Sequence, residues 1–205
     1  MMEKVILVRY EEIFLKRSNR NLFENRLIRN IRQRLESLGN IRVTCSQSRI
    51  YIEIPDEDFD LVEAVERLKK VFGIASLSIV HKVPTDYEII KTSAVSIVAD
   101  LLSRYHYRTF KVESKRADKS FPLNSPQLSA DLGAHILRNF PRLKVDVRNP
   151  DFVFYIEVRE STYLYSEIIP AAKGLPTGTG GRATLLLSGG IDSPVAGWMI
   201  AKRGV

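Results

Sequence analysis

Hydrophobic residues in the N-terminal part of the chain follow two different periods. Short apolar runs at 4–9, 41–46, 49–54 and 74–83 are typical of β-strands. The two middle runs alternate apolar and polar residues on either side of a Gln-Ser pair, which predicts an antiparallel hairpin with a tight turn.

Two stretches with a helical period lie between these strands. Over 19–38 the apolar residues recur at helical spacing, so that one face is buried and the arginine-rich remainder is exposed; they are Phe23, Leu27, Ile31, Leu35 and Leu38. Gly39 ends this helix, and a second amphipathic helix over 58–71 is closed by Gly73. The order of elements is therefore βαββαβ, the ferredoxin-like arrangement.

A second set of elements begins after Pro84. The pattern predicts helices and strands at 87–103 (helix), 109–114 (strand), 126–139 (helix) and 144–169 (two or three strands). We expect the hydroxyl of Ser125 to cap the later helix, because Pro126 suits the first helical position, where no N–H is needed.

The last part of the chain changes character again. Residues 170–182 (PAAKGLPTGTGGR) are rich in Gly and Pro and are expected to form a linker. Residues 183–187 suit a strand buried on both faces of a parallel sheet, and a glycine loop and a helix follow. The pattern indicates an α+β protein that is divided into 1–83, 84–169, 170–182 and 183–205.

The composition indicates a folded chain with an anionic partner. Hydrophobic residues make up 44% and charged residues 27% of the sequence, close to the globular average, so we expect folding throughout. A net charge of +7 and a pI near 9.5 favour a polyanion as partner. No apolar stretch approaches a membrane span and no signal peptide is recognised, so we expect a soluble cytoplasmic protein without a membrane partner.

The loop before the last helix carries the strongest chemical signal. Gly189 and Gly190 allow unusual φ angles and bring several amides close to a ligand, while Ser188 and Ser193 add hydroxyl donors. A helix that begins at Pro194 directs its positive end to the same place. The expected ligand is therefore a phosphate or pyrophosphate.

Two other kinds of phosphate loop do not fit these residues. No Gly-Lys-Ser/Thr follows the glycines, which excludes a Walker A loop, and the Gly-Thr-Gly-Gly-Arg stretch precedes a strand, which excludes a dinucleotide fingerprint. A tight turn without a ligand remains an alternative, although a turn alone requires neither the second glycine nor Asp192.

These motifs together resemble a known family. The stretch 188–193 (SGGIDS) resembles the SGGxDS signature of the PP-loop pyrophosphatases. The stretches FKVESKRADKSFPLNSPQLSADLG and VDVRNPDFVFYIEV resemble the THUMP domain, an RNA-binding module of tRNA-modifying enzymes; a start of this domain near residue 60 is the alternative to the boundary at 84. A ferredoxin-like unit, a THUMP domain and a PP-loop preceded by KGLPTGT occur in the order found in the tRNA 4-thiouridine synthase (ThiI) family, so the resemblance covers the whole chain.

The resemblance implies a reaction and its participants. In this family ATP activates O4 of the uridine at position 8 of tRNA as an adenylate, and sulfur from a protein persulfide, supplied by a cysteine desulfurase, displaces AMP. The family also serves sulfur transfer to the thiazole of thiamine in many bacteria. The expected cofactors are ATP and Mg²⁺, the expected partners are tRNA and a cysteine desulfurase, and formation of a homodimer is left open.

The resemblance also assigns roles by position. Leu186 and Leu187 end the strand beside the nucleotide, and the phosphates are held by Ser188, Gly189, Gly190 and Ser193. Asp192 is the expected catalytic residue, which positions Mg²⁺ or the substrate, because a bare carboxylate beside polyphosphate is repelled. The alternative is that Asp192 only caps the helix at Pro194.

A basic turn after the strand at 109–114 is the expected RNA-binding surface. Its cationic members are Lys115, Arg116 and Lys119, and Lys111 in the preceding strand is a further RNA-binding candidate. Flexible cations beside Phe121 suit a phosphate backbone and an unpaired base, and a solvated turn is the alternative. The arginines of the 19–38 helix are weaker candidates because they are spread around it. Gln127 stands where the THUMP pattern favours an acidic residue, which leaves its local pairing open.

The cysteine and histidine content limits other chemistry. Cys45 shares the predicted strand face of Ile41 and Val43, so we expect it to be a small buried residue and not the persulfide carrier. The three histidines, at 81, 106 and 135, are too scattered to form a metal site.

The segment 183–205 is expected to be only the start of a PP-loop domain, because one strand and one helix cannot bury two apolar faces. Truncation is the preferred explanation, and completion by a second chain or docking on the THUMP unit are the others. We expect the complete protein to be a tRNA sulfurtransferase and the isolated chain to be a non-catalytic tRNA-binding module. Another THUMP protein, such as a methyltransferase, would lack the SGGxDS loop.

Overall fold

The computed structural model describes residues 2–54 and 58–205. They form two compact units. The first unit consists of Val5–Ser78 and Ile168–Val205, and the second of Ile79–Glu167 with the N-terminal residues up to Lys4. Among the described residues, no helix combines the length and the apolar character that a membrane crossing requires.

The first unit contains the predicted ferredoxin-like sheet. Its strands are β1 (Glu3–Arg9), β2 (Arg42–Ser46), β3 (Arg49–Glu53) and β4 (Ser76–Val83), in the order β2–β3–β1–β4. Strand β3 runs antiparallel to both β1 and β2. The hairpin turn places Gln47 at φ 45° and Ser48 at φ 64°, the pair of positive φ angles that a tight type I′ turn requires.

Two α-helices of the first unit confirm the helical periods. Helix α1 (Arg20–Leu35) is preceded by a 3₁₀ segment (Glu12–Asn19) and followed by a 3₁₀ turn (Glu36–Leu38). Leu27, Ile31 and Leu35 are fully buried, as the spacing predicted. Helix α2 (Leu61–Leu68) is shorter than predicted, and it begins where the Asp60 carboxylate accepts a hydrogen bond from the Glu63 amide at 2.9 Å.

The second unit adds two helices and four strands. They are α3 (Tyr87–Arg104), β5 (Thr109–Arg116), α4 (Ser125–Asn139), β6 (Lys144–Val145), β7 (Phe152–Val158) and β8 (Thr162–Tyr165). In this unit the sheet order is β4–β8–β7–β5–β6, with β5 parallel to β6 and β7 and with β8 antiparallel to β7 and β4. Phe110, Phe154 and Leu132 are fully buried in its core.

The start of helix α4 differs from the prediction in one residue. Asn124, not Ser125, is the N-cap: its side chain accepts a hydrogen bond from the Gln127 amide at 2.9 Å, and the Gln127 side chain accepts one from the Asn124 amide at 3.0 Å. This reciprocal pair is a capping box, and it also explains Gln127 at a position where an acidic residue was expected. Ser125 is the first helical residue instead.

The last segment contains strand β9 (Ile169–Pro170), which pairs antiparallel with the first residues of β4, and helix α5 (Asp192–Ala201). The stretch predicted as a linker is hydrogen-bonded to the first unit. The Gly73 amide donates to the carbonyl of Lys173 at 2.9 Å, and the Lys173 amide donates to the carbonyl of Ile74 at 2.7 Å. The backbone of this stretch is therefore held by the residues that precede β4.

Candidate functional site

The predicted strand at 183–187 is not formed. These residues have no strand assignment, and the side chains of Leu186 and Leu187 are 85% and 73% exposed. Leu185 instead packs against Gly197 of α5. A strand of a parallel sheet needs a hydrogen-bonded neighbour on at least one side, and no described strand pairs with this stretch.

The glycine loop is closed by its two serines. The hydroxyls of Ser188 and Ser193 are hydrogen-bonded at 2.9 Å, and the Gly190 amide donates to the Ser188 hydroxyl at 3.3 Å. The loop leads directly into α5, so its amides and hydroxyls lie at the positive end of a helix. This arrangement provides several donors for one anion.

The two loop glycines contribute open space and not an unusual backbone. Neither Gly189 nor Gly190 has a positive φ, so the predicted need for unusual φ angles is wrong. A Cβ atom added at Gly189 would have no neighbour within 4 Å, and one at Gly190 would meet only the Ser188 hydroxyl at 3.7 Å. The loop therefore leaves room for a ligand to approach the backbone closely.

Asp192 is the first residue of α5, two positions before the predicted start at Pro194. The N-cap is Ile191, which provides no side-chain hydrogen bond. Within the described part of the chain the Asp192 carboxylate accepts no hydrogen bond, so the alternative that it caps the helix is not realised here. An exposed carboxylate at the positive end of a helix is electrostatically favoured and remains available to a cation or a substrate.

The segment before the loop holds α5 to the first unit. The Leu175 amide donates to the Lys202 carbonyl at 3.0 Å, and the Gly178 and Gly180 amides donate to the Gly204 carbonyl at 2.8 and 2.7 Å. At the end of α5, the Arg203 guanidinium pairs with Glu12 at 2.8 Å. Helix α5 is thus anchored mainly at its C-terminal end.

Arg26 is a residue that the sequence interpretation had ranked low. Its Nε donates to the carbonyl of Thr177 at 2.8 Å, and Asn30 donates to the same oxygen at 3.2 Å. A groove of about 920 Å³ lies between the Thr177–Leu185 stretch, α5 and Arg26. The sequence interpretation had no signal for this contact, because Arg26 and Thr177 are 151 residues apart in the chain.

The four predicted RNA-binding cations divide into two kinds. The Lys111 ammonium pairs with Glu113 at 2.7 Å, and the Arg116 guanidinium donates to the carbonyls of Phe121 and Leu123 at 2.8 and 3.1 Å. These two side chains are occupied within the protein. Lys115 and Lys119 are exposed, and neither forms a salt bridge with a described residue.

The predicted aromatic partner of these lysines is not accessible. Phe121 is 6% exposed and packs edge to face against Tyr87, with the ring centroids 6.4 Å apart. Its hydrophobic burial, together with the Arg116 hydrogen bonds, anchors the basic turn to the unit. The turn therefore offers cations for phosphate contacts but no exposed ring for a base.

Cys45 is exposed, so its predicted burial is wrong. Strand β2 lies at the edge of the sheet. Cys45 precedes the last residue of this strand, Ser46, where the core no longer covers the side chains. The thiol still lies against other side chains: partial burial raises its pKa, and the nearby Glu24 charge raises it further. A raised pKa lowers the thiolate fraction that a sulfur carrier needs.

Metal-ligating residues do not cluster in the part of the chain that the structure describes. No group of three or more His, Cys, Asp or Glu side chains lies close enough there to hold a metal ion. A divalent cation at Asp192 would therefore be held by that carboxylate together with ligand oxygens.

Three protein families match successive parts of the chain. The ThiI ferredoxin-like domain matches residues 5–78, the THUMP domain matches 84–167, and the family described as thiamine biosynthesis protein (ThiI) matches 178–205. Curated relatives named "Probable tRNA sulfurtransferase" cover the chain at 59% identity in Acetivibrio thermocellus and 47% in Alkaliphilus metalliredigens. The chain spans about half the length of these relatives, 52% in each case.

Solved structures of similar proteins have the same fold. A 4-thiouridine synthetase in complex with RNA and bound ATP matches 99% of the chain with a TM-score of 0.85 and 46% identity, and the match covers 51% of that protein. A protein from Pyrococcus horikoshii Ot3 matches 98% of the chain with a TM-score of 0.87 and 33% identity, over 66% of its own length.

Proposed function

Because the chain belongs to the ThiI family of tRNA sulfurtransferases, we propose that it takes part in the ATP-dependent conversion of uridine at position 8 of tRNA to 4-thiouridine. The observation that carries this proposal is the serine-closed glycine loop at the start of α5 in a chain that also contains a THUMP unit. The RNA complex with bound ATP formed by a related synthetase supports it. We place the activity in the cytoplasm, where tRNA is modified.

The loop fits a triphosphate by its donors and its open space. The amides of Gly189 and Gly190 and the hydroxyls of Ser188 and Ser193 bind phosphate oxygens at the helix end. Leu186 and Leu187 lie directly before these donors, and in the whole protein, where further strands would cover them, they would form an apolar wall beside the nucleotide. ATP, when bound, supplies the adenylyl group that activates O4 of the uridine.

Asp192 has a positioning role in this proposal. Its carboxylate lies in the first turn of α5, close in sequence to all four phosphate-binding residues. Like charges repel, so the carboxylate and a polyphosphate share this place only with Mg²⁺ or the reacting base between them. We therefore assign Asp192 to holding Mg²⁺ or orienting the uridine.

The second unit binds the tRNA. Lys115 and Lys119 are exposed and not engaged in salt bridges with described residues, so they contact RNA phosphates. Lys111 and Arg116 shape this surface, since Glu113 and the backbone of the basic turn occupy their charged groups.

The sulfur comes from outside the described chain. Its single cysteine, Cys45, has a raised pKa caused by burial and by Glu24, which disfavours a role as persulfide carrier. We propose that a cysteine desulfurase charges a thiol elsewhere in the complete enzyme, and that the same system serves the thiazole of thiamine.

The isolated chain is expected to act as a tRNA-binding module without turnover. The exposure of Leu186 and Leu187, at 85% and 73%, favours this second function, because a nucleotide site needs a closed apolar wall. The chain would then hold tRNA through Lys115 and Lys119 and bind nucleotide only weakly.

Two measurements test the proposal. In gel shifts over a series of salt concentrations, the chain should bind an unmodified tRNA transcript, and Lys115→Gln with Lys119→Gln should weaken binding and reduce the salt slope by roughly 1 to 2 units. The protein encoded by the whole gene should form 4-thiouridine, detected by mass spectrometry of nucleosides, and Asp192→Ala should abolish its formation. Salt-insensitive or absent tRNA binding, or normal thiolation by Asp192→Ala, contradicts the proposal.

A further inference from the structure

A groove of about 1030 Å³ lies at the amino end of β5, at the opposite end of this strand from Lys115 and Arg116. We call it the tyrosine groove; its walls are Leu102 and residues 105–109 on one side and 139–144 on the other. Strand β5 spans eight residues, so the groove and the basic turn are about 23 Å apart. None of the residues assigned to tRNA or nucleotide binding lines it.

Four aromatic rings connect this groove to the core of the second unit. Tyr105 stacks on Tyr107 with ring centroids 5.0 Å apart and planes at 17°. Tyr107 stacks on Phe152 at 5.4 Å, and Phe152 stacks on the fully buried Phe110 at 5.7 Å. The outermost ring, Tyr105, is 50% exposed. Stacking on rings that reach the core thus fixes the orientation of Tyr105, and another planar group can stack on its exposed face.

Exposed cations line the same groove as this ring. Arg108, Arg142 and Lys144 line the groove, and none forms a salt bridge with a described residue. Asp151, beside the groove, accepts hydrogen bonds from the Arg108 and Thr109 amides at 2.7 and 2.8 Å, and Glu167 is a second carboxylate close enough to act on Tyr107. The C-terminal ends of α3 and α4 each add about half a negative charge. The residues that line the groove include these three cations and no carboxylate, so its surface offers positive charge to an anion.

We propose that the tyrosine groove is a second RNA-binding site, in which an unpaired base stacks on Tyr105 while Arg108, Arg142 and Lys144 bind the adjoining phosphates. A π-surface bordered by arginine and lysine is the combination that single-stranded RNA requires. A continuous duplex is a poor occupant, because its bases are stacked on one another and present no free face to Tyr105. The inference rests on the proposed tRNA binding and adds a second contact on the same unit.

The test compares variants of the chain on three RNA probes: an unmodified tRNA transcript, a short single-stranded RNA of mixed sequence, and the same sequence as a duplex. Tyr105→Ala should weaken binding of the single strand about fivefold or more. Tyr105→Phe, which keeps the ring, should stay within about twofold of wild type. Duplex binding should change less than about twofold in both variants.

The salt dependence of RNA binding tests the phosphate contacts separately. Arg142→Gln with Lys144→Gln should reduce the salt slope for the single strand by about 1.4, since each phosphate contact contributes about 0.7. The double variant should also weaken tRNA binding. An unchanged salt slope contradicts the phosphate contacts and overturns the proposed site.

The outcomes separate this site from the proposed function. If Tyr105→Ala binds the single strand as wild type does, or weakens duplex binding equally, the stacking site is overturned. If in the same series Lys115→Gln with Lys119→Gln weakens tRNA binding, the proposed function stands without it. If the wild-type chain binds no tRNA in a salt-dependent way, the proposed function fails as well. Unfolding midpoints in urea check that each variant is folded.

Discussion

The guanidinium of Arg26 lies directly against Gly178, and its Nε donates a hydrogen bond to the carbonyl of Thr177 at 2.8 Å. Gly178 has a φ of 87°, and a Cβ atom at this position would overlap the guanidinium. Helix α1 thereby holds the stretch that leads to the glycine loop. The ferredoxin-like elements thus help to support the candidate nucleotide site.

Replacing Gly178 should release this contact. We expect Gly178→Ala to lower the free energy of unfolding by about 1 to 3 kcal/mol, because a side chain at positive φ is strained and the Arg26 hydrogen bond is lost. Urea unfolding measures the change, and limited proteolysis should show faster cleavage between 171 and 182. Gly189→Ala is the matched control, with a change within about 0.5 kcal/mol, since its Cβ meets open space. Equal stability of both variants would contradict the finding.

Arg116 should affect stability more than direct RNA contact. Arg116→Gln removes hydrogen bonds from a charged donor to the Phe121 and Leu123 carbonyls, so we expect a loss of about 1 to 3 kcal/mol in urea unfolding. Lys119→Gln, in the same turn but exposed, should leave stability within about 0.5 kcal/mol and weaken only tRNA binding. A stable Arg116→Gln protein would mean that this side chain is free to bind RNA.

The capping box distinguishes two neighbouring residues. Asn124→Ala should lower the free energy of unfolding by about 1 kcal/mol, because the first-turn amide of Gln127 loses its acceptor. Ser125→Ala should change it by less than about 0.5 kcal/mol, since Ser125 is already inside the helix. Thermal or urea unfolding of the two variants compares them directly. The opposite order of effects would restore Ser125 as the cap.

Cys45 should react slowly for an exposed thiol. Burial of the sulfur, followed by the Glu24 charge, raises its pKa, so less thiolate is present at neutral pH. We expect alkylation by iodoacetamide at pH 7 to be slower than that of glutathione, with the rate still rising at pH values where glutathione has reached its plateau. Mass spectrometry of timed samples measures both. Faster alkylation than glutathione would reopen a role in sulfur transfer.

Asp151 should contribute to the decrease in the free energy of unfolding at acidic pH. The Arg108 amide and then the Thr109 amide donate to its carboxylate, which lowers its pKa. A lowered pKa stabilises the folded state above the unfolded pKa of about 3.9, and this contribution is lost as pH falls through the lower folded pKa. Asp151→Asn should therefore be less stable than wild type at pH 7, with the difference closing toward pH 2. Urea unfolding across this range tests the sign.

The periods of the hydrophobic residues were sufficient to predict most helices and strands. Leu27, Ile31 and Leu35 follow the buried face of α1, and the hairpin turns at Gln47 and Ser48 where alternation stops. These features depend on neighbours only a few residues away, which local patterns describe well. The resemblance to the ThiI family likewise followed from motifs that are continuous in sequence.

Partners that lie far apart in the chain could not be predicted in the same way. The strand at 183–187 is absent because strand formation needs a second strand, and Cys45 is exposed because β2 lies at a sheet edge. The Arg116 guanidinium is occupied by carbonyls of the basic turn, which come within its reach only when Phe121 is buried.

The sequence by itself determined the element types, the family and the position of the SGGxDS loop, since each depends on residue order over short stretches. The tertiary structure decided which of the described cations lack a salt bridge, which glycine the Arg26 guanidinium contacts and where an aromatic ring reaches the surface. Those properties arise from contacts between distant segments, such as Arg26 with Thr177 or Tyr107 with Phe152. Chain folding alone brings such groups within hydrogen-bonding or stacking distance.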